Sequence, residues 1–297
     1  MGSLPDRLKL LRHVEPFGNR IISIRRFTIL LTLVLLYAVP YTGLARTDLW
    51  GGRHAMLFRP VHWVMGVGAV GAGIFAFYIL TFAVNWGFGR IFCGFGCPVG
   101  YAARFGDAVQ IAKQTRENVA WVLTKASVFA LLFSGAILTW WVDPRVLLHG
   151  GPGAVIATAS AWFVLALAIV AHGHFWRWDF CKGWCPIGLY YTAVQLPHRF
   201  GVQYQNDANH CDTCNLCVTS CPVGLDPRAL GTRLYDRGPI ALDGFPGTNH
   251  CLTCGDCVRA CDFNHHKKHD TVPPLSLSLR PDAPRVNPAQ GKLQNSE

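Results

Sequence analysis

All twelve cysteines of this 297-residue chain fall into repeated sets. Cys211, Cys214, Cys217 and Cys221 recur forty positions later as Cys251, Cys254, Cys257 and Cys261. Cys93 and Cys97 recur eighty-eight positions later as Cys181 and Cys185. Both quartets read C-x2-C-x2-C-x3-C, a spacing that lets a tight loop deliver three thiolates to one iron-sulfur cube and sends the fourth to a neighbouring cube. The chemistry expected is one-electron transfer at two [4Fe-4S] clusters. Crossing the fourth ligands assigns Cys211, Cys214, Cys217 and Cys261 to cluster 1 and Cys251, Cys254, Cys257 and Cys221 to cluster 2. A pair of four-cysteine zinc sites or a disulfide scaffold competes, but zinc sets come as two C-x2-C knuckles with a longer spacer between them. Pro222 follows the first quartet, as the bacterial pattern asks, whereas Asp262 takes that place after the second, a departure that bears on the potential of cluster 1.

The second set has the form FC-x3-CP-x-G in both copies, Phe92 to Gly100 and Phe180 to Gly188. A four-residue step puts both sulfurs on one side of a turn, and the proline and glycine that follow argue for a loop rather than a continuing helix. Two such loops brought together present four thiolates, so Cys93, Cys97, Cys181 and Cys185 are candidates for a third metal centre, most readily another iron-sulfur cluster. A redox-active thiol pair in each loop, or cysteines buried at a turn, are the competing readings. Phe95, Phe180 and Trp184 would shield such a centre from water.

The elements that position these thiols are apolar. Half the residues (51%) are hydrophobic and 15% charged, the balance of an integral membrane protein. Between Arg26 and Arg46, Arg59 and Arg90, Glu117 and Asp143, and Arg145 and Arg177, Lys125 is the only formal charge. Each run is long enough to cross a hydrocarbon core of about 30 Å, which takes roughly 20 helical residues, and tryptophans sit near the run ends. The fold class expected is mainly α: a four-helix transmembrane core made of two duplicated helix pairs, followed by a small α+β two-cluster ferredoxin-like domain. The domains run 1–24, a basic interfacial segment; 25–200, the four-span membrane domain; 201–270, the two-cluster domain; and 271–297, a flexible tail without periodicity. Gly66, Gly68, Gly71 and Gly73 are spaced for close packing of another helix. His265, His266, Lys267, Lys268 and His269 read as a solvated basic segment.

Thirteen Lys and Arg flank the spans on the side of the N-terminal tail and four (Arg46, Arg53, Arg59, Arg145) on the other. The positive-inside rule then places both termini, the middle loop and the ferredoxin segment in the cytoplasm, at a bacterial inner membrane. The net charge of +10 is a topology signal, and no nucleic-acid partner is needed to explain it. No Ser-His-Asp set, P-loop or C-x-x-C-H haem motif stands out.

Four spans, two FC-x3-CP loops and a C-terminal two-cluster segment together resemble the NapH/MauN group of ferredoxin-type membrane proteins, over about residues 20 to 265; related modules occur in the larger NosR and CcoG proteins. The resemblance implies a quinol dehydrogenase membrane subunit that passes electrons to a partner ferredoxin or c-type cytochrome within a larger oxidoreductase complex. It also implies that the C-x3-CP cysteines and the eight later cysteines match the family's own motifs. The expected substrate is a membrane quinol, which surrenders two electrons and two protons. A quinone site then calls for an aromatic wall and a proton acceptor at a membrane boundary, and His172, His174 and Trp176 near the end of the fourth span are the first candidates. His54, His62 and His149 mark the opposite side, where Asp143 is expected to cap or pair with Arg145. The rival function is an assembly or maturation factor that reduces a metal or cofactor of a client oxidoreductase.

Overall fold

The computed structural model describes residues 19–115, 118–188, 200–204, 211, 214–228, 251–268 and 273–279. In chain order it forms α1 (Asn19–Thr42), the short strands β1 (Ala45–Arg46), β2 (Ala55–Met56) and β3 (Arg59–Pro60), α2 (Trp63–Phe88), α3 (Ile91–Phe95), α4 (Pro98–Thr115), α5 (Val119–Leu138), α6 (Val146–His149) and α7 (Pro152–Ala171). After an irregular stretch come β4 (Phe200–Tyr204), α8 (Leu216–Ser220), α9 (Asp256–Lys268) and β5 (Leu275–Leu279). Among the described residues, four helices are long and apolar enough to cross a membrane: Arg20–Thr42, Trp63–Val84, Val119–Leu138 and Pro152–Gly188. They leave Leu30, Phe75, Leu132 and Phe163 exposed, as helices bathed in lipid do. The structure is thus mainly helical, with its longest strands in the small C-terminal region, and the chain is a membrane protein.

Local chemistry sets the helix ends. Gly43, at φ +82°, turns the chain out of α1 while its N–H returns to the Pro40 carbonyl at 3.1 Å. The Asn118 side chain accepts the Trp121 N–H at 3.1 Å to start α5. Pro98 and Pro152 open α4 and α7, where a missing N–H costs nothing.

The chain divides into two compact units. One comprises Ser23–Ala83 and Phe95–Arg177. Its interior contains Ile29, Ala102 and Phe129, with Tyr101, Phe105 and Phe133 stacked around Phe129. Half-buried side chains donate to carbonyls inside it: Tyr37 to Leu132 at 2.7 Å, Trp140 to Leu36 at 3.0 Å and Trp162 to Leu131 at 2.9 Å. The largest departure from expectation here is α4. The stretch between the second and third spans is an 18-residue helix, packed on α5 and on the end of the fourth span. It is amphipathic rather than apolar, which hides it from a search for spans, yet Ala102, Ala103, Val109 and Ala112 share a buried stripe.

The glycines of α2 act differently from the expectation. Gly66 lies against the His54 side chain and Gly73 against the Trp140 ring, whereas nothing lies within 4 Å of a Cβ built at Gly68 or Gly71. The close backbone crossing is elsewhere: Gly106 of α4 meets the Gly173 carbonyl, and Gly173 meets the carbonyl of Ala102. Close by, the largely buried Arg177 and Asp107 pair at 3.7 Å.

The second unit holds residues 19–22 and 84–94 and the described residues from 178 onward. Here β4 and β5 form an antiparallel ladder from Phe200↔Leu279 to Tyr204↔Leu275, and α8 packs on α9 around the fully buried Ala260. The strand at 275–279 corrects the flexible tail expected from 271. Leu275-Ser276-Leu277-Ser278-Leu279 alternates with the period of a strand, and Leu275 is 2% exposed. Residues 1–18 of the expected interfacial segment and 280–297 of the tail lie outside the described residues; residues 19–24 belong to α1.

A Gly106→Ala substitution drives a methyl group into the Gly173 carbonyl, so it is expected to cost about 1–3 kcal/mol and to lower the midpoint of thermal unfolding in detergent. Gly68→Ala, in open space, is the control and is expected to stay within about 0.5 kcal/mol.

Candidate functional site

The eight ferredoxin-pattern cysteines line two cavities. Cys211, Cys214 and Cys217 share the first with Cys261, beside Tyr204, Arg228 and His265. Cys251, Cys254 and Cys257 share the second with Cys221, beside Val202, Leu225 and Leu252. Each triad therefore meets the fourth cysteine of the other motif. The reason is local: Cys217 and Cys221, like Cys257 and Cys261, are four residues apart, about 5–6 Å along a helical turn, and the packing of α8 on α9 turns each far cysteine away from its own triad. Left-handed residues bend the loops that present the triads, Asn215 at φ +57° in the first and Thr253 and Gly255 at φ +52° and +75° in the second.

The thiols of each cavity feel one another. Burial first, then the neighbouring Cys254, Cys251 and Cys221, hold the Cys257 thiol well above its ordinary range. Burial likewise pushes Cys217 up to about 11 and Cys261 up to about 12, with Cys214 adding to both. Four thiolates gathered in low dielectric repel unless a cation shares the space. Among the described residues, no three Cys, His, Asp or Glu side chains converge on a point as a single metal ion would need. Sulfurs arrayed around a shared cavity fit a polynuclear cluster better than one zinc ion.

The C-x3-CP motifs are helix-break-helix elements and not plain loops. Cys93 lies in α3 and Cys97 in the break before Pro98, the first residue of α4. Cys181 lies in a π-helical turn, Phe180–Trp184, and Cys185 is extended ahead of Pro186. Proline cannot continue the preceding helix but can start the next, so both motifs break at the same residue. Cys93 and Cys185 feel each other directly, and the guanidinium of the buried Arg90 hydrogen-bonds Cys93. A Cβ at Gly188 would stand 2.9 Å from Arg90 Nη2. Cys97 belongs to the other unit, where its carbonyl accepts the Tyr101 N–H at 3.0 Å. Of the four cysteines expected to share a centre, the structure thus brings Cys93 to Cys185.

Gly94 ties the first of these motifs to the second cavity. A Cβ built there would lie 2.5 Å from the Leu252 carbonyl oxygen and 2.8 Å from Cys254 Cα. Only glycine permits so close an approach of the two backbones.

The end of the fourth span carries the other candidates. His172–Trp176 is a π-helical turn, Phe180–Trp184 a second, and Arg177 between them holds φ +40°. Such irregular backbone gathers at functional sites. A cavity of about 320 Å3 opens here, walled by Phe105, Val109, Leu123, Phe129, Leu167 and Phe175, with His174 its titratable side chain. Its size and apolar lining are those of a small-molecule site. His172 is not on that wall; its ring lies 6.4 Å from Trp176, which is exposed. On the opposite side, His54 Nδ1 accepts the Asp48 N–H at 3.2 Å, while His62 and His149 are exposed. Asp143 caps through the Arg145 N–H at 3.0 Å, and its ion pair is with Arg46 at 3.2 Å rather than with the Arg145 side chain.

Several residues at these sites carried no sequence signal. Tyr204 and Arg228 hydrogen-bond Cys211, and Asp256 lies 3.6 Å from Cys254. His265, read as part of a solvated basic segment, is 2% exposed and faces the first cavity, because it falls one turn after Cys261 on α9. The backbone placement of His266 to Lys268 follows α9, and His269 lies outside the described residues.

A Gly94→Ala substitution must displace the Leu252–Cys254 backbone. Purified anaerobically, that variant is expected to keep its first set of thiols protected while Cys251, Cys254 and Cys257 become alkylated at least tenfold faster than in the unaltered chain.

Residues 203–262 match the family described as a 4Fe-4S dicluster domain. Two proteins of Methanocaldococcus jannaschii are similar over longer stretches. "Uncharacterized protein MJ0750" is 23% identical over 171 residues, covering 53% of this chain and 67% of that protein. "Uncharacterized protein MJ0749" is 26% identical over 136 residues, covering 46% of this chain and 52% of that protein, so the chain spans between half and two thirds of these relatives. No solved structure matches the chain. The dicluster domain and the four apolar helices together make this an iron-sulfur membrane protein.

Proposed function

We propose that the chain is the quinol-oxidising membrane subunit of an electron-transfer complex, a quinol dehydrogenase subunit of the NapH/MauN type. In this reading Cys211, Cys214, Cys217 and Cys261 hold one [4Fe-4S] cluster and Cys251, Cys254, Cys257 and Cys221 the other. When bound, the clusters supply one-electron acceptance and release. The observation that carries the proposal is the apolar cavity at the end of the fourth span, with His174 on its wall and Cys181 seven residues further along the chain.

The chain's own residues supply the rest. Phe105, Phe129 and Phe175 offer flat apolar surface to a quinol ring and keep water from it. A quinol becomes a quinone by losing two electrons and two protons, and the His174 imidazole is the group on the cavity wall that accepts a phenolic proton. His172, its ring 6.4 Å from Trp176, carries the proton on toward the surface, and Trp176 supplies aromatic surface beside it. The pair Cys93 and Cys185, with Arg90 to offset their charge, supports the reading of the C-x3-CP cysteines as ligands of a third centre. The excess of Lys and Arg on one side supports a bacterial inner membrane with the cluster domain and both termini in the cytoplasm. The partner that accepts the electrons is a ferredoxin or c-type cytochrome.

One observation favours the maturation-factor reading: Cys214 is exposed, which suits delivery of an electron to a client's metal.

Anaerobically purified protein is expected to contain about eight irons, and about twelve with a third centre. Its EPR signal should appear on adding a reduced quinol analogue. His174→Gln is expected to slow that reduction about 100-fold, the lower end of what a positioned base contributes, with iron content unchanged. Loaded clusters that stay oxidised in the presence of quinol would select the maturation reading.

A further inference from the structure

The two cages differ in what faces their sulfurs. At the first, the Tyr204 hydroxyl and the Arg228 guanidinium both hydrogen-bond Cys211, and the Leu275 N–H reaches Cys261. Arg228 is held there by Asp226, at 3.0 Å from Nε and 2.8 Å from Nη2, and by Asn215 at 2.8 Å. Cys214 of this cage is exposed.

At the second cage the group set against a sulfur is a carboxylate. Asp256 Oδ2 lies 3.6 Å from Cys254 Sγ, and Asp256 is 1% exposed. Its cation, Arg259, stands 3.8 Å from the other oxygen, Oδ1. Cys254 and Cys257 are buried, and the Leu225 N–H donates to Cys221 at 3.3 Å. Asp262, beside Cys261, and Asp226, which acts on Cys217, are the opposing charges at the first cage, but both are part-exposed and screened by water, as the enclosed Asp256 is not.

Reduction adds a negative charge to a cluster. Hydrogen-bond donors, a nearby cation and contact with water stabilise that charge, whereas a buried carboxylate and an apolar wall oppose it. Building on the cluster assignment of the preceding subsection, we infer that Arg228 and Tyr204 raise the reduction potential of the first cage and Asp256 lowers that of the second. With clusters bound, this ordering would favour an electron on the first cage, where Cys214 is exposed, over the second, against which Gly94 packs. A transfer between them moves one electron and breaks no bond.

The test is a redox titration followed by EPR on the full-length protein in detergent. Two one-electron waves are expected, separated by at least tenfold in equilibrium constant, which is 59 mV for one electron. Asp256→Asn should raise the lower wave, and Arg228→Gln and Tyr204→Phe should lower the upper one, each by threefold to tenfold in equilibrium constant. Coincident waves, or an Asp256→Asn shift confined to the upper wave, overturn the inference while leaving the clusters in place. Where Arg228→Gln loses iron, Tyr204→Phe decides, because it removes one hydroxyl and keeps the ring. A protein without iron and sulfide overturns the cluster assignment itself and removes the inference with it.

Discussion

Eight thiols drawn into two small, poorly solvated cavities repel one another as soon as they ionise, and the rest of the C-terminal region is arranged around that repulsion. Burial and mutual charge hold Cys257, Cys217 and Cys261 protonated in the absence of a cation. An iron-sulfur cluster reverses the balance, because its iron ions compensate the thiolates that otherwise force the loops apart. Among the described residues, the β4–β5 ladder and the α8–α9 contact hold the eight converging thiols together, and a bound cluster would couple its insertion to the folding of this region.

Glycine does the same service in each unit, by letting backbones approach where a methyl group would not fit. Gly94 admits the backbone of Leu252 to Cys254 beside the first C-x3-CP motif, and Gly106 and Gly173 bring α4 onto the end of the fourth span. The second crossing has a chemical consequence. It holds α4 against a π-helical turn, so that Phe105 and Val109 from one element and His174 and Phe175 from the other wall the same cavity.

Charge is distributed by the same logic. Two buried carboxylates of the membrane unit are paired, Asp143 with Arg46 and Asp107 with Arg177, which limits the cost of desolvating them. Around the cages the arrangement is asymmetric, with a guanidinium and a phenol turned toward one set of sulfurs and a carboxylate toward the other. Two clusters with the same ligands need such an asymmetry to differ in potential.

Sequence alone determined what a one-dimensional spacing can encode. The four spans follow from uncharged runs long enough to cross a bilayer, because lipid tolerates no unpaired backbone and few charges. The C-x2-C-x2-C-x3-C repeat likewise states its ligand chemistry, since three thiols within a tight loop have few other uses. Spacing also misled: Leu275 to Leu279 alternates as a strand does, but five residues after a polar stretch look like tail until Phe200–Tyr204 is there to pair with them. The tertiary structure sets beside each triad the same fourth cysteine that the crossed pattern assigns, through the packing of α8 on α9. It alone decided that α4 is a helix, that Cys93 faces Cys185, that His174 and not His172 reaches the cavity, and that Arg228 and Asp256 stand at different cages. Each of these is a contact between residues far apart in the chain, set by packing and burial, and no local pattern carries that information.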